Sequence, residues 1–231
     1  SISIFSGGVD STTALALAIQ EHGKDNVVAL SISYGQKHTK EIEVANKIAQ
    51  FYQVEHLYLD LAKIFTYSNC SLLQHSDNEI PHESYNEQLN KTDGNPVSTY
   101  VLLERFILSS AASIALSKGC NIIYYGAHSD DAAGSAYPDC SKVFNNAMNQ
   151  AIYEGSGPSI GKSKTPFVEM TKADIVKIGL SLGVPYQLTW SMLEGNDTPC
   201  GTCGTCIDRQ NAFLKNGIKD PLLGEKNDKK F

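Results

Sequence analysis

The sequence predicts an α/β fold, a parallel twisted sheet flanked by helices, with a small cysteine knuckle near the C-terminus. Three observations predict it: short apolar runs alternate with helix-period runs, a glycine-rich turn follows the first apolar run, and three cysteines recur at two-residue gaps. Strand-like runs occur at 2–5, 27–33, 56–59 and 122–125, with helix-like runs at 12–22, 39–51 and 100–118 between them. Short apolar strands separated by helices are buried on both faces, which is the environment of a parallel sheet. Ligands of such sheets sit at the carboxyl ends of the strands, where the glycine turn also falls.

Bulk properties set the class. With 231 residues, 42% of them hydrophobic, the chain is long enough for one well-buried domain with appendages. No apolar run reaches the ~18–20 residues of a membrane span, and the start lacks a signal-peptide pattern, so a soluble cytoplasmic protein is expected. The 25 acids against 19 Lys and Arg give a formal charge of −6, which argues against extended binding to nucleic-acid phosphates. An α/β domain is expected over 1–190, interrupted at 63–98 by a segment rich in Ser, Asn, Asp, His and Pro with no sustained period. So long a connection inside a compact domain predicts a lid or a partner surface. Residues 191–223 form the knuckle and C-terminal segment, and the polar tail 224–231 is expected to fray.

The loop Ser6-Gly7-Gly8-Val9-Asp10-Ser11-Thr12 joins the first strand to the first helix. Glycines permit positive φ and close approach to a ligand, and the helix start offers unpaired N–H groups to an anion. Ser6, Ser11 and Thr12 add hydroxyl donors. Asp10 would repel a bare phosphate, and so implies a magnesium ion between the two. The lysine of the Gly-x4-Gly-Lys-Ser/Thr loop is missing, and an ordinary glycine turn is the alternative. Ser33-Tyr34-Gly35-Gln36-Lys37-His38 ends the second strand, where it suits adenosine contacts or makes a plain polar turn.

Three more stretches carry chemistry. Between Gly126 and Cys140 lie three acids, His128 and Tyr137 in one loop. Clustered acids repel unless a cation or a donor ligand joins them, and the N1–H and amine of a guanine-like ring would match one carboxylate. Solvated turn acids are the alternative there. Thr171 and Asp174 are spaced as a variant capping box, which places Lys172 in the first turn of a helix; a surface lysine is the alternative. Cys200, Cys203 and Cys206, with glycines between them, have metal-knuckle spacing, whereas Cys70, Cys120 and Cys140 are expected as free or packed thiols.

The glycine loop resembles the pyrophosphate loop of the N-type ATP pyrophosphatases, which cut ATP between its α and β phosphates. The string Asp130-Asp131-x-x-Gly134 with Tyr137-Pro138-Asp139-Cys140 more specifically resembles the 7-cyano-7-deazaguanine synthase (QueC-like) family, and the likeness extends over about 1–223. The resemblance implies an adenine nucleotide alpha hydrolase-like, Rossmann-type fold and an ATP-dependent C–N ligase. Such an enzyme adenylates 7-carboxy-7-deazaguanine and transfers it to ammonia, giving the nitrile of the queuosine pathway. It implies ATP contacts for Ser6, Gly7, Gly8, Val9, Asp10, Ser11, Thr12, Tyr34, Gln36 and Lys172, with Asp10 and Lys172 catalytic. It implies substrate contacts for Tyr100, Asp131, Tyr137 and Asp139, zinc on Cys200, Cys203 and Cys206, and a homodimer. No covalent nucleophile is required.

Two signatures depart from the family. Its Thr-Tyr-Val-Pro-x-Arg-Asn reads Thr99-Tyr100-Val101-Leu102-Leu103-Glu104-Arg105 here, so Glu104 inverts a charge. One residue along a helix turns a side chain by about 100°, so Arg105 does not replace the missing arginine. The fourth zinc cysteine is Met192, a poor zinc ligand, so another group closes the site, the position stays open, or metal binding weakens. These departures keep three alternatives: a diverged antiviral-defence paralogue that couples the acid to a protein amine, an inactive nucleotide-binding module, and a tRNA modifier.

Overall fold

The computed structural model describes residues 1–37, 40–93, 95–132, 136–161, 163–192 and 198–223. The described elements run β1 (Ile2–Ile4), α1 (Val9–His22), β2 (Val28–Ser33), α2 (Lys40–Tyr52), β3 (Glu55–Asp60), α3 (Tyr85–Lys91), α4 (Glu104–Lys118), β4 (Ile123–Tyr124), α5 (Ser129–Ala132), α6 (Lys142–Ser156), α7 (Lys172–Ser181) and α8 (Gly204–Lys215). The four strands form a parallel sheet of order β3-β2-β1-β4, with Ile2 in register with Val28 on one side and Ile123 on the other. Lys164 adds a single parallel bridge outside β4, to Tyr124. After β3 the chain returns to the far side of β1. The strand order therefore reverses between β1 and β4, where a crevice opens at the carboxyl edge.

Alternation along the strands divides the core into two layers. Ile2, Val28, Leu30 and Ile123 point to one face and pack on Leu108, Ala111 and Ala115 of α4 and Ile152 of α6. Phe5, Ala29 and Tyr124 point to the other, against Leu15 and Ala18 of α1 and Val44, Ala45 and Ile48 of α2. Apolar residues on both faces of each central strand are what a helix-covered parallel sheet requires. A further apolar cluster docks α7 and α8 on α1 through Val9, Ala16, Val176, Tyr186 and Phe213. No helix among the described residues is long and apolar enough to cross a membrane.

Several boundaries differ from the sequence expectation. The first helix starts at Val9 rather than residue 12, so half of the glycine motif is helix. The expected helix over 100–118 starts only at Glu104, because Leu102 adopts φ 52°, a left-handed conformation that breaks the preceding turn. The expected strand at 122–125 shortens to two residues.

The 63–98 segment contains more regular structure than its composition suggested. α3 is closed by a capping box between Ser84 and Glu87. Phe65, Cys70 and Leu73 build a small core with Tyr34, Leu103 and Phe106 beside the crevice. The tail 224–231, His38, Gly134 and residues 193–197 lie outside the described residues.

Candidate active site

The glycine loop folds as a cradle around the start of α1. Gly7 has φ 82°, and a Cβ there would stand 2.9 Å from Val44 Cγ1 and 3.0 Å from the Ala45 nitrogen. Gly7→Ala is therefore expected to lose at least ~1–2 kcal/mol to the backbone conformation alone and to displace the loop from α2, which a denaturation midpoint and ATP affinity would both register. Gly8 is the N-cap of α1 and no side chain caps it, so the first-turn N–H groups and the positive helix end are left for an anion. Ser6 and Ser11 hydroxyls lie 3.1 Å apart at the crevice. Thr12 differs from the expectation: it is fully buried and its hydroxyl donates to the Gly8 carbonyl at 2.6 Å, so it braces the loop. The Val9 side chain turns into the α7/α8 core, leaving its backbone to the loop.

Asp10 is the electrostatic centre. Its Oδ2 lies 3.5 Å from Lys172 Nζ and 3.5 Å from His128 Nε2. Burial raises the carboxyl's pKa, but the Lys172 and His128 charges outweigh it and hold Asp10 well below the usual carboxylate range. Oδ1 is buried with no hydrogen-bond partner among the described residues. An orphaned carboxylate oxygen beside the uncapped start of α1 fits a hard cation carrying phosphate.

Lys172 reaches Asp10 because its helix is fixed at both levels. The capping box forms as the sequence predicts: Thr171 Oγ1 accepts from Asp174 N, and Asp174 Oδ2 accepts from Thr171 N at 3.0 Å. The Lys172 amide also donates to Asp130 Oδ2 at 2.8 Å. Lys172 is only 7% exposed, which removes the surface-lysine alternative. His128 and Asp130 are the residues that sequence reasoning missed here. They sit in the acid-rich loop, but nothing in one-dimensional spacing distinguishes them from Asp131.

The crevice at the strand reversal has a volume of about 260 Å³ and is lined by Ser6, Gly8, Asp10 and Ser11 of the glycine loop together with Tyr34, Glu41, Glu104 and Tyr125. Gly126 closes the gap between β4 and α1, since a Cβ there would meet Asp10 and Ser11 backbone atoms at 3.2 Å. Tyr34, expected to contact adenosine, lines this crevice. Gln36 does not line the crevice; its Oε1 accepts from Tyr34 N at 2.9 Å and shapes the turn. Burial pushes the Glu41 carboxyl up to about 7, and burial with the adjacent Glu104 pushes the Tyr125 hydroxyl well up. Arg105 is exposed, stacks over Phe106 at 4.7 Å and does not line the crevice, so it does not take the place of the missing arginine.

The expected substrate residues form a neighbouring shelf. Tyr100 packs edge-on against Tyr137 with ring centroids 6.4 Å apart, and the Tyr137 and Thr99 hydroxyls are 2.6 Å apart. Asp139 is buried and its Oδ2 accepts from Glu104 N at 3.2 Å, which ties the shelf to the crevice wall. Asp131 lies on α5, and its side chain is outside the described residues.

The cysteine knuckle is joined to the glycine loop. The Sγ atoms of Cys200, Cys203 and Cys206 lie within 4.8 Å of one another, with Cys200 and Cys206 at 3.8 Å. A zinc ion with bonds of about 2.3 Å gives tetrahedral edges of about 3.8 Å, so the triangle fits one ion. Met192 is buried against it, with Sδ accepting from Cys200 N at 3.0 Å. His82 of the 63–98 segment meets Thr202 in the knuckle, Nδ1 to Oγ1 3.1 Å. Trp190 N donates to the Gly7 carbonyl at 3.0 Å, and Arg209 of α8 holds that strip by donating to Thr189 Oγ1 and the Tyr186 carbonyl while pairing with Asp220 through two nitrogens. Cys70, Cys120 and Cys140 form no disulfide, and the Cys70 thiol donates to the Thr99 carbonyl at 3.2 Å.

A parallel sheet that presents an uncapped helix start, an ionised aspartate and a buried lysine at its carboxyl edge defines the PP-loop, ATP pyrophosphatase type of α/β protein. In fold the chain is similar to the U34-tRNA thiolase of Methanococcus maripaludis with its [4Fe-4S] cluster, with TM-score 0.50, 14% identity, and 93% of this chain and 66% of that one covered. The family model described as queuosine biosynthesis protein QueC matches residues 1–217. The chain is 43% identical over 224 residues to a 7-cyano-7-deazaguanine synthase of Archaeoglobus fulgidus, covering 97% of this chain and 90% of that protein. It is 39% identical over 219 residues to the synthase of Caldicellulosiruptor bescii, covering 95% and 94%. The chain belongs to the QueC family.

Proposed function

We propose that this chain adenylates 7-carboxy-7-deazaguanine with ATP, releases pyrophosphate, and passes the activated acid to ammonia to give 7-cyano-7-deazaguanine. The observation that carries the reading is the meeting of Asp10 and Lys172 at the uncapped start of α1, 3.5 Å apart and largely shielded from water. A carboxylate is a poor acyl donor, and adenylation converts its oxygen into a leaving group. The α1 N–H groups and the Ser6 and Ser11 hydroxyls hold the departing pyrophosphate, and Lys172 offsets the charge that develops on it. Magnesium, when bound at Asp10, would supply neutralisation of phosphate charge. Tyr34 borders the adenosine side of the crevice, and the Tyr100, Tyr137 and Asp139 shelf, with Asp131, receives the deazaguanine base. The 63–98 segment covers this side through its Phe65 cluster, in keeping with a lid.

Incubation with ATP, the acid and ammonium should yield pyrophosphate and the nitrile, identified by mass spectrometry. Absence of pyrophosphate release would refute the adenylation, and release without the nitrile would redirect the acyl group to another acceptor, such as a protein amine.

Zinc is the ion we assign to the knuckle, held by the three cysteine thiolates. Cys203→Ser is expected to lose the bound metal by elemental analysis. Its midpoint of thermal unfolding should fall with it, because metal binding free energy is folding free energy at such a site.

A further inference from the structure

The proposed reaction sheds protons that none of the residues above is placed to accept. When ammonia adds to the acyl adenylate, a C–N bond forms, the C–O bond to AMP breaks, and AMP leaves with the electron pair. The nitrogen must then give up one proton to become an amide. Conversion of the amide to the nitrile consumes a second ATP: the amide oxygen attacks the α-phosphate, pyrophosphate leaves and nitrogen loses a proton. The C–O bond then breaks, AMP leaves and the last N–H proton departs. Each nitrogen proton needs a base within reach of the reacting nitrogen in the crevice.

We propose that Glu41 is this proton acceptor, a catalytic residue facing the incoming nitrogen nucleophile. The assignment rests on the adenylation reading. Glu41 lies in the first turn of α2, the helix on which the glycine loop packs at Gly7, and lines the same crevice as Asp10 and the apolar Ile4, Leu30, Ile32 and Ile107. The charged and titratable groups that share the crevice are Asp10 from α1, Tyr34 after β2, Glu104 from α4, Tyr125 after β4 and Cys140. No cation or hydrogen-bond donor among the described residues engages the Glu41 carboxyl, whereas Lys172 and His128 hold Asp10 ionised and make it too weak a base. Glu104 is drawn into the Tyr125 and Asp139 side of the wall. The apolar surroundings push Glu41 up to about 7, with burial as the cause. A carboxyl so tuned is part-ionised at neutral pH and a far stronger base than an ordinary glutamate.

The test separates the two half-reactions. In the full chain carrying Glu41→Gln, exchange of labelled pyrophosphate into ATP with the acid alone should stay within about twofold of the unsubstituted protein, while amide and nitrile formation from ammonium falls about a hundredfold. With rates expressed per free ammonia, so that the ammonium equilibrium drops out, the rise of nitrile formation with pH through the neutral range, governed by Glu41 ionising as pH passes about 7, should vanish in this variant and persist in Glu104→Gln. A structural role for Glu41 would reduce exchange and nitrile formation together, and that result overturns the proposal. So does an unchanged nitrile rate in Glu41→Gln. If the unsubstituted chain shows no exchange with the acid, the adenylation reading itself has failed, and this inference with it.

Discussion

Replacing Lys172 with methionine is expected to slow pyrophosphate release by about 10²–10³-fold, the effect of deleting one positioned charge donor from a transition state. The lysine sits at the start of α7, where the Thr171 and Asp174 capping box and the bond from its own amide to Asp130 fix the backbone that carries its Nζ to within 3.5 Å of Asp10. Methionine keeps the apolar stem and deletes the charge, so α7 should still dock through Ile175 and Val176. Steady-state measurement should show the loss mainly in kcat, because the charge is needed most as pyrophosphate departs. A loss confined to KM for ATP would show instead that Lys172 acts on ground-state binding.

The same substitution carries a pH signature. Asp10 has a depressed pKa, so its contribution to stability is present above the ordinary carboxylate range and is lost as pH falls through the depressed value. Without Lys172 the carboxyl keeps only His128 as a charged partner, and the acid limb of the unfolding curve should move to higher pH. Acid titration followed by circular dichroism reads this directly, and an unmoved limb would argue that the ion pair contributes nothing to the folded state.

Arg209→Ala is expected to destabilise the fold by about 3–5 kcal/mol, the range for removing one partner of a buried ion pair. Arg209 and Asp220 are both about 3% exposed in their side chains, and the guanidinium meets the carboxylate at 2.6 and 2.8 Å. Alanine leaves Asp220 charged without its ion-pair partner in the interior and removes the guanidinium bonds that the Tyr186 carbonyl and Thr189 hydroxyl accept. Lysine at this position should restore little, because a point charge cannot reproduce the two-nitrogen fork. The urea midpoint measures the loss. ATP affinity should fall with it, since Arg209 fixes the strip that bonds the Gly7 carbonyl through Trp190. A drop in stability with unchanged ATP affinity would show that the knuckle and the glycine loop are not coupled.

Much of the fold was legible because period and punctuation are local properties. The four strands lie where the apolar runs put them, and the Thr171 capping box and the cysteine triplet follow from spacings of three residues. The start of α4 was not legible, since Leu102 reverses its φ without any glycine to announce it. Nor was the role of Thr12, whose hydroxyl looks from sequence like a phosphate donor yet closes on Gly8. His128 was visible as one polar residue among several, and only its burial at 3.5 Å from Asp10 distinguishes it.

The sequence by itself determined the chemistry available to this protein: a glycine turn feeding a helix, a carboxylate in its first turn, a capped lysine and three thiols. Tertiary structure decided which of these meet. Asp10 in the first turn of α1, His128 after β4 and Lys172 at the start of α7 are distant in sequence, and the parallel strands bring the first two to one sheet edge while the docking of α7 on α1 brings the third. Glu41 becomes a distinctive acid only when the fold sets it, half-buried, in the crevice beneath β1 and β2, since a pKa is a property of the surroundings and not of the residue.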